Sequence, residues 1–238
     1  MDIHPDNTQS AFQVRLPKTL HLGHPFEVAL VEVQYPVSWK TFVQPGSYAI
    51  KVSHREAVGY RQIFMPSGYY QNISELVTAI NAALFFHFEI EEQDERAKFT
   101  VNKIEQKVQL ETTENIRINL SNECCDALGL KHDTWYGGLT HAPFRHDISR
   151  GFHSLYIYCN ICEEQIVGDV YAPLMRSVAL NGKRGDHVIK SYGEPHYIPV
   201  NRRQVDSIEI NIKDDTGHNV PFMFGKVICK LHFRPRTL

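Results

Sequence analysis

The stretch Glu209–Phe233 reads EINIKDDTGHNVPFMFGKVICKLHF, and a polar segment divides it into two strand-like runs. β-Branched and aromatic residues that alternate with polar ones are typical of strands with one buried face. Asp214 to Asn219, between the runs, supply the Asp, Gly and Asn that tolerate the backbone angles of a tight turn. The stretch therefore predicts a hairpin of the last two strands, and Pro221 predicts an incomplete ladder partner or a bulge just after the turn.

The same turn contains Asp215-Thr216-Gly217, which is the signature tripeptide of aspartic proteases. In those enzymes the motif follows an apolar strand, and two carboxylates share one proton at a buried seam. Here Lys213 and Asp214 come directly before the motif, and a charged approach of this kind is typical of an exposed turn. The sequence favours the turn, and peptide cleavage by Asp215 is kept only as an alternative.

Most of the chain outside its middle has the same strand character. These segments are rich in β-branched and aromatic residues and are bounded by Pro, Gly or Asn; they are Phe12–Leu16, Phe26–Tyr35, Ser47–Ser53, Ser154–Ile161, His196–Val200, Ser207–Lys213 and Gly225–Phe233. Many short strands separated by turns predict a mostly β protein with an antiparallel sandwich or barrel.

The middle of the chain differs, because QNISELVTAINAALFF has apolar residues at helical spacing. They are Ile73, Leu76, Val77, Ile80 and Leu84. Asn72 followed by Glu75 predicts an N-cap with a reciprocal carboxylate. Four short strand-like segments follow, FEIEEQ, KFTVNKI, KVQLETT and IRINLS, and then a helical turn NECCDALGL that ends at Gly129. We expect an inserted α/β subdomain at 66–139, with the main β domain formed by 1–65 and 140–238.

Composition limits the classes of function. The 238 residues are 42% hydrophobic, and 25 Lys and Arg stand against 27 Asp and Glu. This balance gives no support to nucleic-acid binding as the main function. No apolar run approaches the ~20 residues of a membrane helix, and the polar start Met1–Ser10 argues against a signal peptide. The odd number of cysteines, five, indicates a protein that stays in a reducing compartment.

Two patterns could indicate a metal or redox site. Cys159 and Cys162 have the spacing of a zinc knuckle or redox pair, but zinc normally needs a second such pair. In a strand, residues three apart point to opposite faces, so the thiols would converge only if the chain bends there. His21 and His24 are similarly close in sequence, yet the histidines as a whole are scattered. We predict no metal, no cofactor and, because no catalytic constellation is visible, no enzyme.

Arg184-Gly185-Asp186 lies in the polar, Gly-rich segment LNGKRGDHVIK and is predicted to form an exposed loop. Integrins recognise this tripeptide through a metal ion of their own. On the residues alone, chance occurrence of the tripeptide is favoured, and integrin binding is the alternative.

Four stretches occur in the order seen in one family: FQVRLPKTLHLGHPFEVALVEVQYPVSW, MPSGYYQNISELVTAINAAL, LYIYCNICEEQIVGDVYAPLMRSV and DDTGHNVPFMFGKVICKLHFRP. In this respect the chain resembles the penton, or minor capsid, proteins of Maverick/Polinton-type elements and of their adintovirus and virophage relatives. The resemblance is strongest outside 85–150 and 181–194, and its best single marker is the stretch that follows Asp214.

The resemblance implies a single jelly-roll β-sandwich that assembles as a homopentamer at icosahedral vertices. It implies contact with a double-jelly-roll major capsid protein, and it gives some weight to a host receptor bound through Arg184–Asp186. The expected location is the virion. A fibre-like β-sandwich that binds a receptor or glycan is the alternative from a different class of function.

Overall fold

The computed structural model describes residues 5–39, 49–54, 59–65, 68–90, 96–149 and 152–236. The chain divides into two compact units. The first unit comprises Met1–Trp39 and Phe152–Leu238, and the second comprises Lys40–Gly151. Each has its own hydrophobic core.

The helices and strands of both units are numbered in chain order. They are β1 (Ala11–His21), β2 (Phe26–Pro36), β3 (Ala49–His54), β4 (Arg61–Phe64), α1 (Ile73–Ile90), β5 (Ala97–Asn102), β6 (Lys107–Thr112), β7 (Ile116–Leu120), α2 (Asn122–Leu128), β8 (Leu139–His141), β9 (Ser154–Cys159), β10 (Gln165–Val167), β11 (Val170–Ala172), β12 (Leu174–Ala179), β13 (His187–Ser191), β14 (Ile198–Pro199), β15 (Gln204–Lys213) and β16 (Ile228–Pro235).

In the first unit, four strands in the order β1-β15-β9-β12 form an antiparallel sheet that we call the front sheet. β15 and β9 lie at its centre, and their alternation places Ile157, Ile210 and Ile212 in the core with almost no exposed surface. β12 forms one edge and β1 the other, where Phe12 lies opposite Ile210 and Val14 opposite Ile208.

The back sheet of the first unit is built on β2, which pairs with β13 and β14 along one edge and with β16 along the other. The register of β16 shifts between Lys230 and Leu231. The shift corresponds to a bulge in β2, which has one extra residue at this point. A bulge changes which alternate residues face inwards, and this explains why the apolar residues of β2 do not alternate regularly. Val28 and Leu30 before it and Val33 and Tyr35 after it are all buried in the core.

These two sheets form the predicted mostly β jelly-roll sandwich, but one predicted pairing is wrong. Residues 214–219 do reverse the chain, with Lys213 bridged to Asn219 and the Val220 N–H donating to the Ile212 carbonyl at 3.1 Å. β15 then belongs to the front sheet and β16 to the back sheet. The chain crosses between the sheets over 221–227, where Phe222 bridges Trp39. Pro221 lies in a three-residue turn, since the Phe222 N–H donates to the Val220 carbonyl.

In the second unit, β3 lies between β4 and β7, and β6 lies between β5 and β8. α1 begins as predicted: the Asn72 side chain accepts from the Glu75 N–H at 3.0 Å, and the Glu75 carboxylate accepts from the Gln71 N–H at 2.8 Å. All five predicted core residues of α1 are buried. Neither described helix has the length and apolarity needed to cross a membrane.

The second unit is wider than the predicted subdomain. We placed the insertion at 66–139, whereas the compact unit runs from Lys40 to Gly151, because β3 pairs with β7 and with β4. The predicted strand FEIEEQ is wrong at its start, since α1 continues to Ile90 and Phe88 extends the buried Ile80–Leu84 face by one more turn. Ser47, Tyr48 and Glu91–Gln93 lie outside the described residues.

Gly129 ends α2 with φ of +74°, in the left-handed conformation that the sequence predicted. A Cβ at this position would meet two backbone carbonyls, those of Phe144 and Arg145, the latter at 2.8 Å. Gly138 has a similar φ of +64°, but a Cβ there meets nothing within 4 Å. A side chain at Gly138 would therefore meet backbone strain alone, whereas a side chain at Gly129 would meet both backbone strain and steric overlap.

We expect Gly138→Ala to lower the free energy of unfolding by about 1–2 kcal/mol, the cost of a left-handed alanine. Gly129→Ala should cost at least about twice as much, because backbone must also move. Urea unfolding of the two variants and the unchanged protein measures both values. Equal losses would contradict the packing described for Gly129.

Candidate functional site

Cys159 and Cys162 converge, contrary to the prediction for two residues in one strand. β9 ends at Cys159, and the Cys162 N–H donates to the Cys159 carbonyl at 3.1 Å, which closes a tight turn. Hydrogen bonds to the end of β14 and to the residues after it hold this turn: the Glu163 N–H donates to the Pro199 carbonyl, and the Asn201 N–H donates to the Ile161 carbonyl. The bend that the sequence analysis named as the condition for convergence is present.

The chemistry of this pair is that of buried thiols. Cys159 and Cys162 are 1% and 0% exposed and both are reduced. A hydrogen bond from the Cys162 side chain lowers the pKa of Cys159, and the same bond together with burial raises the pKa of Cys162. Reactive cysteines are normally accessible to solvent, so this geometry supports a packing role in the core. The described residues contain no group of three or more His, Cys, Asp or Glu that could hold a metal ion.

The Asp-Thr-Gly turn is organised by Asp214, not by Asp215. The Asp214 Oδ1 atom accepts from the Thr216 N–H at 2.9 Å, the Thr216 hydroxyl at 2.7 Å and the His218 N–H at 2.9 Å. Gly217 has φ of +84°, which explains the glycine at this position. Asp215 is exposed, unlike the carboxylates that share a proton at a buried protease seam.

Arg184-Gly185-Asp186 lies between β12 and β13, and all three residues are exposed, as predicted. The segment is a tight turn fixed by hydrogen bonds. The Asp186 N–H donates to the Lys183 carbonyl at 2.9 Å, while the Asp186 carboxylate accepts from the Lys183 N–H at 2.7 Å. The backbone also pairs with Val37, through the Gly185 N–H and the Asp186 carbonyl. One carboxylate oxygen of Asp186 is therefore already occupied.

The second unit contains a cleft of about 560 Å³ next to α2. Its charged lining has both signs: Asp126, Lys131, His132, Arg145 and Asp147. His132 Nε2 lies 2.6 Å from the Asp126 carboxylate. The Cys125 thiol is also in the lining, and burial raises its pKa to about 12, so it stays protonated near neutral pH. Such a site has no activated nucleophile and no excess charge for an ionic ligand.

The most distinctive surface of the first unit is apolar and lies at two places. One is the β10–β11 hairpin, where Ile166 and Tyr171 are each 71% exposed and Val170 is also exposed. The other is β1, which has no fully buried residue and where Val14 is 50% exposed. Sequence reasoning identified the segment QIVGDVYA only as part of a family marker. The apolar residues of this segment indicate strands, but the sequence does not show that their side chains are exposed.

Comparisons with known proteins give a likeness in structure. No family model matches the chain, and no curated protein sequence matches it. Among solved structures, the crystal structure of the selenomethionine-labelled mavirus penton protein is similar, with a TM-score of 0.51 and 13% sequence identity. The alignment covers 94% of this chain and 90% of that chain.

The class defined by this architecture is a mostly β protein with an antiparallel jelly-roll sandwich. More particularly, the fold is penton-like, because the likeness to the mavirus penton protein extends over both units. At 13% identity this comparison establishes the fold and not the function.

We expect Asp214→Ala to lower the free energy of unfolding by about 1–2 kcal/mol, because three hydrogen bonds that hold the turn are lost. Asp215→Ala, the matched change one residue later, should alter it by less than about 0.5 kcal/mol. Thermal or urea unfolding compares the two variants. If Asp215→Ala were the more damaging change, the assignment of the turn to Asp214 would be contradicted.

Proposed function

We propose that this chain is a structural protein of a viral or virus-like capsid and that it forms the penton at the icosahedral vertices. The observation that carries this proposal is the penton-like fold, which is similar to the mavirus penton protein over 94% of this chain. A fold match over part of a chain would support only a shared domain. A match over both units supports a shared overall design.

The particular group we propose is the Maverick/Polinton-type elements with their adintovirus and virophage relatives. Its support is the order of the four quoted stretches, the last of which begins at Asp214. That stretch crosses from the front to the back sheet. Its turn residues therefore connect the two layers of the sandwich, which is a structural reason for a family to retain them.

Vertex assembly requires that the protein binds copies of itself and the surrounding capsid lattice. A head-to-tail contact closes into a ring of five copies when the rotation between neighbouring copies is one fifth of a turn. We propose a homopentamer that contacts a double-jelly-roll major capsid protein, located in the virion. Specific nucleic-acid binding and membrane insertion are not part of this proposal.

Host attachment through Arg184, Gly185 and Asp186 is a second, separate proposal. Its support is the exposure of all three residues in a turn fixed by Val37. A receptor-bound metal ion would have to use the Asp186 oxygen that does not accept from the Lys183 N–H. Attachment is compatible with the penton role, since a vertex protein presents loops to the outside.

The main proposal predicts the mass of the purified protein. One chain has a mass of 27.4 kDa, so we expect a particle of five such chains in solution, or after addition of the major capsid protein. Light scattering after gel filtration gives the mass, and negative-stain imaging shows whether the particles are five-fold rings. A protein that is monomeric at high concentration and does not associate with the major capsid protein would contradict a vertex role.

A further inference from the structure

The β10–β11 hairpin stands apart from both sheets of the first unit. Its strands pair with each other and, within the described part of the chain, with no other strand. Ile166 lies opposite Tyr171, and Val167 lies opposite Val170, so the hairpin is apolar on both faces. Gly168, with φ of +65°, begins its two-residue turn. A two-stranded ribbon with exposed apolar residues on both faces is marginally stable alone and is suited to binding a partner.

The sandwich has an open side that could receive such a ribbon. A short link, 180–186, joins β12 at one edge of the front sheet to β13 in the back sheet. These two strands therefore lie on the same side, and β1 and β16 line the opposite side, which we call the open side. The front sheet is four strands wide. The described back sheet is only three strands wide, because β13 and β14 share one edge of β2 and β16 forms the other edge of the sheet.

The described back sheet has no fourth strand to cover β1, which is consistent with the exposure of β1. Val14 points to the same face as Phe12, opposite Ile208 and Ile210 of the core-facing row, yet it is half exposed. Across the sandwich, Cys229, Leu231 and Phe233 of β16 are only partly buried against the core. β16 runs for eight residues and has no second neighbour among the described strands. Its outer edge can accept another strand.

The charges of the two surfaces are complementary. The hairpin and its base carry Glu163, Glu164 and Asp169, and no Lys or Arg occurs from 163 to 175. β1 and β16 carry Arg15, Lys18, Lys230 and Arg234 and no Asp or Glu.

Carboxylates of neighbouring β2 offset part of this positive charge, since Arg234 Nε donates to the Glu27 carboxylate at 2.9 Å and Lys230 lies opposite Glu32. Asp206 and Glu209 of β15, the neighbour of β1, offset more of it. The complementarity therefore lies between the basic strands β1 and β16 themselves and the acidic hairpin. Complementary charge of this kind selects partners and sets their orientation.

We infer that the β10–β11 hairpin of one copy docks on the open side of a second copy, where a hairpin strand pairs with β16 and its apolar residues cover β1 and β16. This inference rests on the proposed self-assembly and names its contact. The hairpin precedes β12, which is at the edge of the front sheet opposite β1. Donor and acceptor surfaces are therefore different parts of one molecule, which is the arrangement of a head-to-tail ring contact.

Two complementary variants test the contact. The donor variant is Ile166→Asp with Tyr171→Asp, and both side chains are 71% exposed, so the fold tolerates the changes. The acceptor variant is Arg15→Glu with Lys230→Glu, also at exposed positions. Ile104→Asp, at a side chain that is 95% exposed, and Lys98→Glu with Lys103→Glu are matched controls in the second unit. Circular dichroism and thermal melting verify that each variant is folded.

Each variant alone should be monomeric, while both controls should assemble like the unchanged protein. An equimolar mixture of the two variants should give a 1:1 dimer, because the intact hairpin of the acceptor variant docks on the intact open side of the donor variant. The dimer cannot grow, since its other two surfaces are both disabled. The mass by light scattering thus falls from five chains to one, and rises to two on mixing.

Rings formed by either folded variant, or a mixture that stays monomeric, would overturn the docking contact and leave the penton proposal standing. Variants that form rings but no longer bind the major capsid protein would show that the hairpin or the open side contacts that partner. This result would also overturn the inference. Failure of the unchanged protein to assemble in any condition would instead contradict the proposed function.

Discussion

Hydrogen bonding along both edges of β2 is the constraint on which the first unit depends. β13 and β14 pair with one edge and β16 with the other, so the whole back sheet is assembled on this one strand. Its bulge brings Val28, Leu30, Val33 and Tyr35 into the core from a sequence that does not alternate regularly. β16 is the last described strand on its side of the back sheet, and the fourth front strand, β1, has no described strand across from it.

A sandwich in which no described strand covers β1 and the outer edge of β16 has a physical reason to assemble. Burying half-exposed residues such as Val14 removes apolar surface from water, a gain of about 25 cal/mol per Å². The outer edge of β16, which pairs with no other described strand, adds directional hydrogen bonding, which apolar contact alone lacks. The β10–β11 hairpin has exposed apolar residues, and its base and turn carry acidic residues where β1 and β16 carry basic ones. In the docking that we propose, the hairpin and the open side of one unit are the donor and the acceptor of a ring contact.

Local pattern predicted the elements well, because strand and helix periodicity depends on which face is buried. β2, β9, β15 and α1 with its Asn72 cap were predicted close to their observed bounds. Long-range pairing was not predictable in this way. The Asp214 turn shows that the chain reverses, but not which sheet follows, and the assignment of β3 depends on its pairing with the distant β7. The hairpin surface was missed, since exposed and buried strands can have the same composition.

The most direct test is electron cryomicroscopy of the assembled protein at a resolution that separates strands. The account predicts five-fold rings in which residues 165–172 of each copy lie alongside β16 of the next, with Ile166 or Tyr171 near Val14. Rings in which this hairpin faces solvent while another segment covers β16 would contradict this contact. The absence of rings both from the protein alone and after addition of the major capsid protein would contradict the vertex role.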